Sequence, residues 1–546
     1  MKQLLLILFC ILSCAGYSQH TNLLLGRNFS SEINKSLYIL GPNTHTSFKP
    51  ILKSDIIFSM DSIVHDHFQL NFKNWYLKKI FSEHFFILQG DDYRVIASPI
   101  IRLSKGKELI DSKTTFTNSR GYLIEGDLGE KISFSTSFLE NQAVFPNYIE
   151  SFIKENKVVA GQGYARDFKE TGFDYAMSSG YVTYKPNNMF AIQFGHGKNF
   201  IGDGYRSLLL SDNAFNYPYS KLQTTFWKAQ YTNLYAELMD INYFATYGLD
   251  NKDQIGYPKK YLSLHYLSLN ITKKFNFSLF ESVVWRMNHA PGTRGFDVNY
   301  LNPISLLRPI EFSLNSPDNI LLGINTKYVF NNSYLYGQLV IDEFSIDDLR
   351  LNNGFWGNKI GYQTGYKIFD PFYVKRLTFQ IEYNYVRPYT YAHHNPSQNY
   401  AHYNQPLAHP LGANFSEYLF MINYRWKRFD VVGKFIFSKY GGQVQDDFTS
   451  YGHDLYLSTG NYSEEEGLLG IGSGRPSDFG IQMYQGNFTT VDYKSLHLSY
   501  IINPYTNLKV SLGISLRDFN NDEKNSQTQF INFGIVSDLF NQYYDI

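Results

Sequence analysis

Residues 508–517, with the sequence LKVSLGISLR, decide the fold of this chain. Large aliphatic side chains at every second position alternate with polar or small ones, which predicts a β-strand with two unlike faces. About ten such residues are enough to cross a bilayer as a tilted strand. Residues 495–502 alternate in the same way and join this strand through the turn 503–507, so the two stretches predict a hairpin.

The same alternation returns in many other places. It is clear in residues 132–138, 359–368 and 377–385. A soluble sandwich also alternates, but strands of this length with lysines and carboxylates on the second face are more typical of a water-filled barrel. We therefore predict an all-β protein, an antiparallel transmembrane β-barrel.

The first eighteen residues predict an export signal. A short basic start at Lys2 is followed by an apolar run of about nine residues and by small residues, which suggests cleavage after Ser18. Both cysteines, Cys10 and Cys14, lie in this segment, so the mature chain is expected to use no disulfide. Cys14 also leaves open a lipoprotein cleavage box and a lipid anchor, although the bulky Leu12 fits that box poorly.

The composition excludes some classes of protein. With 49 basic and 49 acidic residues, no overall positive field attracts nucleic acid. Aromatic residues make up 17% of the chain, and interfacial belts of tyrosine would account for many of them. The mean hydropathy of −0.30 argues against a helical membrane protein but suits a barrel, whose strands expose half their residues to lipid.

Three segments are expected along the chain. Residues 1–18 are the signal peptide, residues 19–118 form a partly helical periplasmic region, and residues 119–546 form the barrel. Within the second segment, residues 68–86 have the spacing of an amphipathic helix. Short polar turns are expected to face the periplasm, and long irregular connections are expected to face outward or to fold into the lumen.

Two clusters could carry chemistry but lack its usual spacing. His393, His394, His402 and His409 could bind a divalent metal, yet no carboxylate or cysteine accompanies them at ligand spacing, so we predict neither a metal site nor a cofactor. The glycine-rich segment 202–207 lacks the Lys-Ser/Thr of a phosphate loop. In that segment we expect Arg206 to pair with Asp203 or Asp212.

No catalytic set emerges from the sequence. Asp342 and Glu343 are adjacent, so on a strand they point to opposite faces. Asp342 and Glu382 should both face inward, but the sequence does not give the distance between them. No Gly-x-Ser-x-Gly elbow is present. We therefore predict that the protein is not an enzyme.

Several loop motifs carry a family resemblance. Residues 202–212 (GDGYRSLLLSD), 300–303 (YLNP) and 382–391 (EYNYVRPYTY) resemble the capsule-assembly Wzi family. Residues 405–415 (QPLAHPLGANF) are similar to its branch in gliding bacteria, typified by the gliding motility protein RemB. The resemblance covers the chain from about residue 90 onward.

The resemblance implies a barrel of about eighteen strands in the outer membrane of a Gram-negative bacterium, with a small periplasmic helical part. It implies a surface lectin whose partners are surface polysaccharide, outer-membrane lipid and other gliding or surface proteins, in support of gliding motility or capsule attachment. Two alternatives stay open, a structural scaffold for motility or secretion proteins and a substrate-specific channel. The candidate glycan-binding residues are Asp203, Arg206, Asp212, Glu382, Arg387, Tyr389, Tyr391, His409 and Asn414.

Overall fold

The computed structural model contains a closed antiparallel barrel of eighteen strands, which confirms the predicted fold class. It describes residues 20–26, 31–40, 44–56, 64, 68, 72–241, 256–286, 296–304, 306–316, 318–445, 447, 449–460 and 474–546. The barrel strands are β1 (Tyr93–Glu108), β2 (Thr114–Leu128), β3 (Ile132–Val144), β4 (Gly172–Tyr184), β5 (Phe190–Gly197), β6 (Tyr217–Phe226), β7 (Ala229–Met239), β8 (Lys259–Asn270), β9 (Phe275–Arg286), β10 (Asn319–Val329), β11 (Ser333–Glu343), β12 (Lys359–Phe369), β13 (Leu377–Val386), β14 (Phe415–Trp426), β15 (Phe429–Gly442), β16 (Asn487–Asn503), β17 (Leu508–Asn520) and β18 (Asn525–Ser537).

Each strand pairs with its neighbours in the chain, and β18 closes the barrel by pairing with β1. The closing register runs from Phe530 opposite Glu108 to Val536 opposite Arg102. Towards the start of β1, β18 no longer pairs with it. There the short strand Phe86–Gln89 pairs with residues 94–97 of β1, on the edge that β18 occupies further along. The predicted hairpin of residues 495–517 is β16 and β17, joined at residues 504–507.

The start of the barrel differs from the prediction. We expected it at residue 119, but β1 and the beginning of β2 lie before that position. Their residues do not alternate over long runs, because β1 contains Pro99 and consecutive aliphatic residues such as Ile100 and Ile101. Pairing on both sides, rather than local pattern, therefore places this segment in the wall.

The helices are short. They are Ser31–Lys35, Trp75–Phe81, Asn147–Asn156, Leu307–Leu314 and Ile346–Leu351, with a π-helical turn at Ser36–Leu40 and 3₁₀ turns at Lys53–Asp55, Val298–Leu301, Pro371–Tyr373 and Pro396–Gln398. The helix predicted over residues 68–86 is described only as Trp75–Phe81, where the Asn74 side chain accepts the backbone N–H groups of Tyr76 and Leu77. No helix among the described residues is long and apolar enough to span a membrane. The predicted signal peptide lies outside the described residues.

The two ends of the barrel differ in the length of their connections. Eight turns of two to seven residues lie at the end where β1 begins, and we call this the short-turn end. Most connections at the opposite end are long, and four of them span residues 198–216, 287–318, 387–414 and 443–486. We call it the long-connection end.

Four segments of the chain occupy much of the lumen. The connections 198–216 and 387–414 fold inward and carry the two-residue strands Phe200–Ile201, Ala401–His402 and Gln405–Pro406. Near the N-terminus, Phe48–Lys49 pairs with Phe200–Ile201. The segment 538–546, which follows β18, enters the same space, where Leu539 and Tyr543 are almost fully buried. We call the connections 198–216 and 387–414, the strand Phe48–Lys49 and the segment 538–546 together the plug.

Candidate functional site

The connection 198–216 forms the apolar centre of the plug. Leu208, Leu209 and Leu210 are completely buried there. The hydroxyl groups of Tyr391 and Tyr400 donate to the carbonyl oxygens of Leu208 and Leu209, each at 2.7 Å. Burial of three leucines and of two satisfied tyrosines ties the two inward-folded connections to each other.

A neutral cluster of four charges lies beside this centre. The guanidinium group of Arg206 binds Glu417 on β14, with Nε 3.2 Å from Oε1, and it lies 3.4 Å from Asp545 of the plug. Lys434 on β15 lies 2.6 Å from the same Asp545 carboxylate. Burial alone would raise the pKa of Asp545, but the neighbouring Arg206 and Lys434 outweigh it, so the pKa lies well below its usual value.

His409 and Glu382 extend this cluster. The ring of His409 lies 2.9 Å from Glu417, and burial lowers the pKa of His409 in spite of that carboxylate. Glu382 on β13 accepts the backbone N–H groups of Tyr205 and Arg206, at 2.7 and 3.0 Å. It also accepts a hydrogen bond from the hydroxyl group of Tyr336 at 2.7 Å. The carboxylate of Glu382 therefore holds the plug against the barrel wall.

Glycine is required where this carboxylate meets the backbone. A Cβ atom at Gly204 would lie 2.3 Å from Oε2 of Glu382, closer than any real contact. Gly202 has φ of +140°, a conformation that other residues rarely adopt. The glycine-rich motif thus allows its backbone to lie directly against the Glu382 carboxylate of the barrel wall.

Asp203 and Asp212 hold the two ends of the described chain inside the lumen. Asp203 accepts a hydrogen bond from the hydroxyl group of Thr46 at 2.7 Å, and its carboxylate lies 3.7 Å from the Lys327 ammonium group. Burial would raise the pKa of Asp203, but Lys327 and Lys49 lower it on balance. Asp212 accepts from the amide group of Asn541 at 2.7 Å and from the hydroxyl group of Tyr543.

A third group links the plug to the connection 443–486. The hydroxyl group of Tyr389 donates to the carbonyl oxygen of Ser450 at 2.8 Å. The side-chain amide of Asn414 donates to the carbonyl oxygens of Gly441 and Gln485, each at 3.0 Å. Arg387 is half-buried, and one of its guanidinium nitrogens lies 3.4 Å from the carbonyl oxygen of Phe355.

The structure thus distributes the nine predicted site residues over the plug and its supports. Every one except Arg387 is at most 4% exposed, because Glu382 faces the lumen from β13 and the others lie on connections that fold inward. Arg206 pairs with Glu417 and Asp545, not with Asp203 or Asp212 as expected. Glu382 binds the backbone N–H groups of Tyr205 and Arg206.

An open cavity of about 580 Å³ lies at the long-connection end, above the plug. It lies between the helix Asn147–Asn156, segments of the connections 387–414 and 443–486, and the upper ends of β15, β17 and β18. Its aromatic lining consists of Tyr148, Phe152, Tyr440, Tyr456 and Phe519. Its charged lining consists of Glu155, Asp454, Arg517, Glu523 and Lys524.

Several contacts fix the rings of this cavity. The Tyr440 ring stacks on His453 with 4.6 Å between centroids. The Arg517 guanidinium group lies 4.9 Å from the Tyr148 ring centre and 5.1 Å from that of Phe519. Flat apolar faces beside fixed hydrogen-bonding groups suit a polyhydroxylated ligand.

Sequence reasoning missed this lining. Residues 405, 406 and 410–412 line the cavity, so the predicted segment 405–415 reaches it, but none of the nine predicted residues does. The available signal was the inward phase of the strands, since Arg517 and Phe519 occupy lumen-facing positions of β17. The alternation shows which side chains face the lumen, but it does not show at which end of the barrel the lumen stays open.

The described residues contain no group of three or more histidine, cysteine, aspartate or glutamate side chains placed to hold a metal ion. His402 and His409 are buried singly, against the Asn216 carbonyl oxygen and the Glu417 carboxylate.

No family model and no curated protein matches the chain. Among solved structures it is similar to Wzi of Escherichia coli, described as a carbohydrate-binding β-barrel involved in group 1 capsule assembly, with 12% identity, 94% of this chain and 99% of that chain covered, and a TM-score of 0.52. OccAB2 of Acinetobacter baumannii is 10% identical over 82% of this chain and 98% of that chain, with a TM-score of 0.44. OprD of Pseudomonas aeruginosa is 10% identical over 82% of this chain and 94% of that chain, with a TM-score of 0.40. The likeness to Wzi shows the fold that the two chains share, a closed barrel of eighteen strands.

Proposed function

We propose that the protein is a non-enzymatic outer-membrane barrel that binds surface polysaccharide in the cavity at the long-connection end. The cavity carries this proposal, because its volume of about 580 Å³ is in the range of ligand sites and its rings stand beside charged groups. The carbohydrate-binding barrel Wzi supports the proposal by analogy of fold.

The finer role is capsule attachment or gliding motility. It rests on the motifs at 382–391 and 405–415, which resemble the branch of the Wzi family in gliding bacteria. In this proposal the nine residues expected to bind glycan act mostly from beneath, because they hold the plug that forms the floor of the cavity. The aromatic and charged side chains of the cavity lining contact the sugar directly.

The plug argues against the alternative of an open channel. Leu208, Tyr391 and Tyr400 are completely buried at the centre of the barrel, where an open channel needs water. Planar-bilayer recordings of the purified barrel should therefore give a conductance far below that of an open porin.

The binding proposal is tested with purified barrel and surface polysaccharide from the native host, by calorimetry. Replacing Tyr440 and Phe519 together with alanine should weaken binding about tenfold or more, since each ring supplies a stacking face. A matched control removes two rings of the same types from the lipid-facing wall, Tyr362 and Phe533, which are 42% and 58% exposed. Unchanged binding by the cavity variant, with the barrel folded, would contradict the assigned site.

A further inference from the structure

The two ends of the barrel carry opposite charge. The eight short turns and the turn 90–92 contain nine lysines and arginines against four acidic residues, whereas the described residues of the connections at the other end contain 12 basic against 18 acidic residues. The whole chain is neutral. The basic excess at the short-turn end is therefore a property of that rim and not of the composition.

Some basic groups of this rim are engaged, since Lys185 is buried and lies 2.6 Å from Asp55, but several others are exposed. Exposed lysines occur in five different turns, at Lys131, Lys228, Lys273, Lys375 and Lys427. None of the first four, nor Lys274, forms an ion pair with a described residue. Of the four acidic residues, Asp370 already lies 2.5 Å from Lys35. Lys131, Lys228, Lys273, Lys274 and Lys375 therefore carry positive charge that no described residue neutralises through an ion pair.

Aromatic rings project from the same turns. The side chain of Trp227 is 89% exposed, that of Phe372 is 81% exposed and that of Tyr373 is fully exposed. The ammonium group of Lys228 lies 5.3 Å from the Trp227 ring centre, and that of Lys427 lies 5.1 Å from that of Trp426. Rings with adjacent cations are typical of the level at which lipid headgroups meet hydrocarbon.

The helix Trp75–Phe81 adds an apolar surface at this end. The side chain of Asn503, where β16 ends, donates to the carbonyl oxygens of Lys79 and Glu83, at 3.2 and 2.8 Å. The helix exposes Trp75, Tyr76, Leu77 and Ile80, and it carries two lysines. A short helix with exposed rings and lysines, fixed beside a membrane wall, suits the plane of an interface.

We propose that the short-turn rim, together with the helix Trp75–Phe81, binds the headgroups of anionic phospholipids in the adjoining leaflet. Charge complementarity selects this partner, because lysines near a membrane surface are attracted to anionic lipid while the exposed rings enter the interface. The acidic opposite end would be repelled by such a surface, so the same interaction favours one orientation of the barrel. This inference does not depend on what the cavity binds.

The test reconstitutes the full chain into vesicles of equal parts phosphatidylethanolamine and phosphatidylglycerol. After mild detergent extraction, mass spectrometry gives the ratio of the two lipids that stay bound. The unmodified barrel should retain excess phosphatidylglycerol. A variant with Lys228→Gln, Lys273→Gln, Lys274→Gln and Lys375→Gln should lose that preference by about tenfold or more, because each lysine near the surface contributes to the attraction.

A matched control replaces four exposed lysines of the long-connection end with glutamine, namely Lys107, Lys154, Lys157 and Lys169. It removes the same charge and should keep the preference. Equal retention of phosphatidylglycerol by both variants would overturn the proposal, and so would an equal loss in both, which would indicate attraction to net charge alone. Heat-modified electrophoretic mobility verifies that each variant is folded.

Discussion

The outer wall and the lumen of this barrel are built by the same strands but are stabilised in different ways. On β17, Leu512, Ile514 and Leu516 face outward and are about two-fifths exposed, and no specific partner fixes them. Inside, Arg206 depends on Glu417 and Asp545, which lie 211 and 339 residues away in the chain. The wall therefore responds to the polarity of a side chain, whereas the lumen responds to the loss of a particular partner.

The largest expected effect tests the lumen. Arg206→Ala leaves the carboxylates of Glu417 and Asp545 buried without their shared cation, and breaking a buried pair in this way costs about 3 to 5 kcal/mol. Unfolding in urea, followed in lipid vesicles, should show that loss. The control Arg308→Ala removes an exposed arginine that pairs with Glu311, and it should cost about 0 to 1 kcal/mol. Equal losses would remove the distinction between lumen and surface.

The second expected effect tests the wall. Leu512→Arg brings a charge to the lipid face and should cost about 2 to 4 kcal/mol, while Ser511→Arg on the same strand faces the lumen and should cost much less. Ser511 lines an inner cavity of about 270 Å³, which gives the longer side chain some room. Comparable destabilisation by both changes in the same urea assay would show that the two faces are wrongly assigned.

A smaller effect is expected where the plug meets the wall. Gly204→Ala places a methyl group against the Glu382 carboxylate and should cost about 1 to 3 kcal/mol through strain. At Gly197, a Cβ atom would have its nearest neighbour at 3.8 Å. Gly197→Ala should therefore change the midpoint of thermal unfolding little, and a similar shift for both variants would argue against the close contact.

The smallest expected effect is a pH dependence. The pKa of Asp545 is lowered in the folded protein by Arg206 and Lys434, so its contribution to stability is present above the unfolded value of about 4 and declines as the pH falls below it. The stability difference between the unmodified protein and Asp545→Asn should be constant from about pH 8 to pH 5 and shrink in more acidic buffer. A difference that grows on acidification would have the wrong sign.

The wall was predictable because it is a local property. Alternation over residues 508–517 identifies strand, face and hairpin without knowledge of any other part of the chain. It failed for β1, where Pro99 and adjacent isoleucines interrupt the pattern although both edges of the strand are paired.

The lumen was not predictable for the opposite reason. The motif at 202–212 was recognised as a loop with charged groups, but Arg206 finds its partners on β14 and near residue 545, and no local spacing gives those distances. For the same reason the cavity was missed, because the sequence does not specify how deeply the connections fold inward. Aromatic, hydrogen-bonding loops at 387–414 look alike whether they meet a ligand or one another.

The short strand Phe86–Gln89 has a consequence for anyone who wishes to trim this protein. Below residue 102, β1 has no partner in β18, and the hydrogen bonds of residues 94–97 on that side go to residues 86–89. Unpaired backbone groups beside hydrocarbon are costly, and an uncovered strand edge invites pairing with another chain. A shortened chain that starts just before β1 would therefore retain all eighteen barrel strands and still present an unpaired strand edge, where another chain can pair.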